Sequence, residues 1–108
     1  MPGVACIRQV AYRQSMQPPA ESIENRLARL RFRAWHRGTR EADFMIGGFF
    51  DRHHGAWGEA EVAWYEALVE EDDVDIMAWA IGTQPVPDRF AGSLMDAMRK
   101  LDYVEIPR

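Results

Sequence analysis

Apolar residues recur at helical spacing on both sides of one glycine, and that pattern restricts the chain to packed helices. Ile23, Leu27, Leu30 and Ala34 are separated by four, three and four positions, which places them on one helix face. Beyond Gly38 the residues Ala42, Met45, Ile46, Phe49 and Phe50 form a second stripe of the same kind. Ser22 suits the N-cap of the first helix and Thr39 that of the second. Glu24, and then Glu41 and Asp43, fall in the first turns, where acidic groups meet the positive end of the helix dipole. Gly38 supplies the left-handed turn at which a helix stops without strain. The two stripes therefore predict a helical hairpin folded at Gly38.

Three further helices follow from the same reasoning. One spans about Glu59 to Glu71, with Val62, Tyr65, Leu68 and Val69 inward. A short one runs from Val74 to Ile81, capped by Asp73 and ended by Gly82, with Ile76, Met77, Ala80 and Trp79 toward the core. After the rigid Pro85-Val86-Pro87 loop, Asp88 is read as the cap of a last helix carrying Phe90, Leu94, Met95, Met98 and Leu101 on one side. No segment alternates with period two, so strands are not expected. The expected fold is all-α, a compact five-helix bundle over 21–101, preceded by a flexible leader over 1–20 and followed by a loose tail over 102–108. Gly47-Gly48 in the second helix costs roughly 1 kcal/mol per glycine relative to alanine. That cost implies either close helix packing or a partner against the backbone.

Size and charge narrow the function. A chain of 108 residues makes one domain. It does not easily enclose a deep cleft with its own cofactor, which favours a binding module or accessory protein. Residues 1–40 carry eight arginines against Glu21 and Glu24, a net +6, and the remainder is net −10. The asymmetry raises nucleic-acid binding, but nearby acidic helices would repel phosphates. Pairing between the basic first helix and the acidic later ones is the favoured reading. Cys6 is the single cysteine, so no intrachain disulfide forms, and it lacks a base that would make it a catalytic thiol. No apolar run approaches the ~20 residues of a membrane span. Arg8, Arg13 and Ser15 faintly resemble a transit peptide, and a disordered bacterial extension is the stronger reading. His53 and His54 are adjacent and so point apart on a helix, which disfavours a shared metal. The acidic run Glu70, Glu71, Asp72, Asp73 and Asp75 lacks calcium-loop spacing and reads as a solvated junction. Neither a phosphate loop nor a nucleophile–base pattern is present. No catalytic, cofactor-binding or metal residue is assigned.

The string Trp35-His36-Arg37-Gly38-Thr39-Arg40-Glu41-Ala42-Asp43 is different. Capping explains Gly38 and Thr39. It does not explain Arg37 and Arg40, since cations near a helix N-terminus are unfavourable. They are expected to face a partner or to pair with Glu41 and Asp43. The four tryptophans, Trp35, Trp57, Trp64 and Trp79, are expected mostly in the core, with any ring exposed beside the corner serving as an interface anchor. Of Phe49 and Phe50, one ring is expected to be partly exposed.

These residues resemble the SdhE family of FAD assembly factors, called succinate dehydrogenase assembly factor 2 in mitochondria and, in some bacteria, antitoxin CptB. Arg37, Gly38 and Glu41 match the family's Arg-Gly-x-x-Glu, and Asp43 matches its acidic extension. The aromatic pair Phe49-Phe50 and the later Leu68, Glu70, Asp73, Asp75 and Trp79 match at corresponding spacing, over about Glu24 to Leu101. Thr39 departs from the large apolar residue common there, and the leader is longer than in short bacterial members. The resemblance implies a non-enzymatic factor, a monomer when free. It would dock on the flavoprotein subunit of succinate dehydrogenase, and on the related fumarate reductase, and promote covalent attachment of FAD to a client histidine. The client carries the FAD and this chain binds none tightly. Arg37, Gly38, Arg40, Glu41, Asp43, Phe49 and Phe50 would form the partner surface. The compartment would be the bacterial cytoplasm, or the mitochondrial matrix in a eukaryote. An antitoxin-like regulatory module using the same corner remains the alternative, alongside a nucleic-acid binder and a small enzyme.

Overall fold

A computed structural model describes residues 21–104, and these form five α-helices joined by short turns with no strand among them. The expected leader, with Cys6, and the last four residues lie outside the described residues. Helix α1 spans Ile23–Trp35 and begins as its sequence demands, with the Ser22 hydroxyl accepting the Asn25 N–H at 3.1 Å. Helix α2 spans Arg40–His53, and Thr39 caps it by accepting the Ala42 N–H at 3.1 Å. A 3₁₀ turn, His54–Ala56, leads into α3, Glu59–Leu68. Helix α4 spans Asp73–Ile81 and stops at left-handed Gly82, and α5 spans Ser93–Lys100.

Three boundaries differ from the sequence reading. The third helix ends at Leu68, three residues short of Glu71. Asp73 is the first residue of α4, which leaves its side chain free for a different task. Asp88 opens only a 3₁₀ turn, Asp88–Phe90, and α5 begins after Gly92. Gly92 sits at φ 138°, a conformation that interrupts any helix running on from Asp88.

The core follows the predicted stripes. Leu30, Ala34, Ala42, Met45, Ile46, Val62 and Leu68 are buried, with Ile23 and Leu27 packed against them from the margin. Tyr65 lies at the centre of this core, and its hydroxyl donates to the Ile46 carbonyl at 2.7 Å, so the buried polar atom is satisfied. Burial pushes the Tyr65 hydroxyl pKa well above its usual value. The fold also continues past the predicted end. Tyr103 is buried rather than loose, stacks edge-on against Phe49 and donates its hydroxyl to the Met98 carbonyl at 3.0 Å.

Helix α2 is the axis of the bundle, and this corrects the expectation for its aromatic pair. Both Phe49 and Phe50 are fully buried. Adjacent positions face different ways, but α2 is covered on both sides. Phe49 packs among Tyr65, Trp57, Trp64 and Tyr103. Phe50 lies against Tyr65, beneath a parallel His54 ring and the Arg31 guanidinium. Neither ring is available to a partner. His53 and His54 diverge as expected, but onto these two rings rather than into solvent.

The charge asymmetry resolves as internal pairing. Arg26 donates to Glu59 and Glu66, and Arg33 donates to Glu70, tying α1 to α3 and to the turn beyond it. The hydrogen bonds from Arg26 and Arg33 hold Glu59 and Glu70 below the usual carboxylate range. Burial, reinforced by the Arg52 charge, holds the His53 imidazole below 6.5. These shifts contribute to the pH dependence of stability. The His53 contribution is complete above 6.5 and declines as pH falls below that value, because the unfolded imidazole binds a proton first. The carboxylate contribution is complete above 4.5 and is lost as pH falls through the lowered folded values. Urea midpoints measured from pH 8 to pH 3 should therefore fall in two stages, with the upper stage removed in His53→Leu.

Candidate functional site

The corner between α1 and α2 is built around one arginine. After Trp35 the chain leaves helical geometry through His36 and turns at Gly38, whose φ of 115° favours glycine. The Arg37 side chain points inward, 10% exposed. Its Nε–H donates to the Asp73 carboxylate at 2.7 Å. Its Nη1 and Nη2 donate to the carbonyls of Val69 and Glu71 at 3.0 and 3.1 Å. Those carbonyls lie just past the end of α3, where no helical N–H remains to serve them. The Arg37 backbone N–H donates to Asp43 at 2.7 Å, closing the turn onto the first turn of α2. Arg37 thus fastens the α1–α2 turn to the α3–α4 turn.

This arrangement divides the predicted partner residues. Gly38, Arg40 and Glu41 are exposed, and neither Arg40 nor Glu41 makes an ion pair among the described residues. Asp43 is half-buried and occupied by the turn. Arg37 is committed internally and does not pair with Glu41. Phe49 and Phe50 lie in the core. The acidic run is likewise engaged rather than merely solvated: Glu70 meets Arg33, Glu71 meets Arg89 at 3.1 Å, and Asp73 meets Arg37.

The structure adds Phe44 to the corner and sets Trp35 against it. Trp35 and Phe44 meet edge to face across the turn, ring centroids 5.8 Å apart. They form a half-buried ridge between two open hollows. The hollow of about 600 Å³ is lined by the ridge with His36, Gly38, Thr39, Arg40 and Asp43. The hollow of about 400 Å³ is lined by the ridge with Gly48, Asp51, Arg52 and Tyr103. The Trp35 indole N–H donates to Asp51 at 3.3 Å. Phe32 and His36 stack one turn apart on the adjoining surface of α1, and Phe32 is 63% exposed. Trp35 heads the corner string in the sequence, whereas Phe44 lies just beyond it. The signal for both is that they fall off the apolar stripes on either side of one turn.

The glycine pair separates by function. A Cβ on Gly47 would lie 2.5 Å from the Trp35 ring, so this glycine exists to seat the indole. A Cβ on Gly48 would meet Tyr103 at an ordinary 3.5 Å and would fill part of the smaller hollow.

No group of three or more His, Cys, Asp or Glu placed to hold a metal occurs among the described residues. No described helix is long and apolar enough to cross a membrane. The chain is thus a helical bundle with an exposed charged turn beside an aromatic hollow. The family model described as "Flavinator of succinate dehydrogenase" matches residues 28–102, and the chain belongs to that family. It is 33% identical over 78 residues to the FAD assembly factor SdhE of Acetobacter pasteurianus, covering 72% of each chain. It is 36% identical over 89 residues to the mitochondrial succinate dehydrogenase assembly factor 2 of Candida glabrata, covering 79% of this chain and 57% of that one. For the Saccharomyces cerevisiae protein of the same name the identity is 34% over 76 residues, 68% of this chain and 47% of that one. The match thus spans about half the length of these mitochondrial relatives. The family supports the assembly-factor reading over the antitoxin-like one.

Two sets of substitutions test the division of the corner. Arg37→Ala strands the Asp73 carboxylate and two carbonyls and should cost about 2 kcal/mol, whereas Glu41→Ala should stay within about 0.5 kcal/mol of the natural chain. Gly47→Ala should cost about 2 kcal/mol through overpacking against Trp35, whereas Gly48→Ala should gain up to about 1 kcal/mol from helix propensity. Urea denaturation of the four variants reads all of these values.

Proposed function

We propose that this chain docks on the flavoprotein subunit of succinate dehydrogenase and promotes the covalent attachment of FAD to a histidine of that subunit, without itself catalysing a reaction. The observation that carries this reading is the corner: exposed Arg40 and Glu41 on a Gly38 turn that Arg37 holds rigid. It stands in a chain of the flavinator family. Charge-assisted hydrogen bonds from a client to Glu41 and Arg40 fit this exposure. Gly38 leaves open space where a side chain would otherwise meet the partner.

Bound to the client, FAD would supply the electrophilic 8α carbon to which the client histidine bonds. In this reading the client carries the FAD and the helper binds none tightly. Both hollows at the corner are open, and no strand-to-helix phosphate loop occurs among the described residues. The chain's contribution is then positioning. A docked, rigid helper limits the arrangements of the client's domains, and holding reactants in place can remove several kcal/mol of a barrier. By the same resemblance, fumarate reductase is a second client and the free helper is a monomer. It would share its client's compartment, the bacterial cytoplasm or the mitochondrial matrix.

In-gel flavin fluorescence tests the function directly. Client co-produced with the natural chain should carry more covalent flavin than client alone. Gly38→Arg and Glu41→Ala should remove most of that gain while retaining helical circular dichroism. No gain from a folded helper and a competent client would overturn the assembly role.

A further inference from the structure

We infer that Asp73, at the start of α4, is a positioning residue for client recognition, acting through Arg37 on the exposed corner; the inference rests on the docking function proposed above. A turn centred on glycine is intrinsically loose, because glycine samples more backbone conformations than any other residue. Gly38 nevertheless has to present Arg40 and Glu41 in one fixed orientation. Capping by Thr39 and the Arg37 N–H bond to Asp43 tie the turn to α2, but neither fixes it against the α3–α4 turn. The only ties between residues 36–38 and the distant α3–α4 turn, among the described hydrogen bonds, are the three made by the Arg37 guanidinium.

Of those three, the bond to Asp73 is the shortest and the one that joins opposite charges. The two carbonyl acceptors are backbone atoms, so no side-chain substitution removes them directly. Asp73 is therefore the side chain that sets where the guanidinium rests. It is itself held by position: as the first residue of α4 its backbone is fixed, and at 25% side-chain exposure its charge is partly shielded from water. A planar guanidinium with three donors engaged in three directions cannot rotate without breaking at least one. Fixing it fixes the Arg37 backbone, whose N–H is bound to Asp43, and so fixes the turn. Asp73 touches no partner in this scheme. It narrows the orientations of the corner, so that docking loses less freedom.

The test is a double-mutant cycle in affinity for the purified flavoprotein subunit of succinate dehydrogenase, using the full chain. Asp73→Ala and Glu41→Ala should each weaken binding by roughly tenfold, and the double variant by little more than either alone, because both act on one contact. Asp73→Asn, which keeps an acceptor for the Arg37 Nε–H, should recover part of the affinity. Arg26→Gln, which breaks ion pairs far from the corner, should lower the melting temperature and leave affinity unchanged. Each affinity is measured where circular dichroism shows the variant folded. Unchanged affinity in folded Asp73→Ala, or effects of Asp73→Ala and Glu41→Ala that multiply, would overturn the positioning role while leaving the docking function in place. Unchanged affinity in Glu41→Ala would remove the docking surface itself, and the inference with it.

Discussion

The Arg37 guanidinium occupies the point where two helix–helix turns approach each other, and its three hydrogen bonds define their spacing. An arginine in that place solves several problems together. The end of α3 leaves carbonyls without helical partners, and a cation satisfies them while complementing the negative end of the helix dipole. The α1–α2 turn contains a glycine and needs an external restraint. The acidic residues at the start of α4 need a positive neighbour to sit so close together. Replacing the planar fork by the single ammonium of lysine would meet the charge requirement but not the three directions. The motif arginine therefore belongs to the fold, and the exposed residues after Gly38 inherit their orientation from it.

Helix α2 carries the second constraint. It is packed on both sides, so its apolar arc is wider than a single stripe. Gly47 removes the one side chain that would keep the Trp35 ring at a distance. Trp35 then leans over α2 to meet Phe44 and leaves an aromatic ridge at the surface. The same close approach that completes the core thus shapes the hollows beside the corner. A bulkier residue at 47 would alter both at once, whereas position 48 borders only a hollow and Tyr103.

Much of this was legible in the sequence, because helix signals are local. The apolar stripes of α1 and α2, the caps at Ser22 and Thr39, and the glycine turns at 38 and 82 depend on residues a few positions apart. The pairing of basic α1 with acidic later segments was legible from charge alone. What was not legible depends on tertiary contacts. Arg37 looked like a surface cation because its acceptors lie more than 30 residues away, and two of them are backbone atoms. Phe49 and Phe50 could be assigned to different faces, but not both to the core, without knowing that Tyr103 and α1 close over α2. Phe44 was not legible because it lies off the stripe, although an off-stripe aromatic beside the acidic first turn is itself a sign of a surface role.

Burying one charge of the corner while exposing another bears on how so small a chain would help a large client in the proposed role. A flexible charged loop would lose conformational freedom on docking and return that loss as weak, poorly oriented binding. Here the ordering is completed during folding, by Arg37, Asp43 and Asp73, and the loss is absorbed by the stability of the bundle. On the proposed docking role, the exposed residues would meet a client from a fixed frame. That frame matters more for a positioning factor than for an ordinary binding partner. Its effect on a barrier depends on holding two parts of the client within narrow limits of distance and angle, and a contact that binds tightly but swivels would add affinity without bringing the reacting groups together.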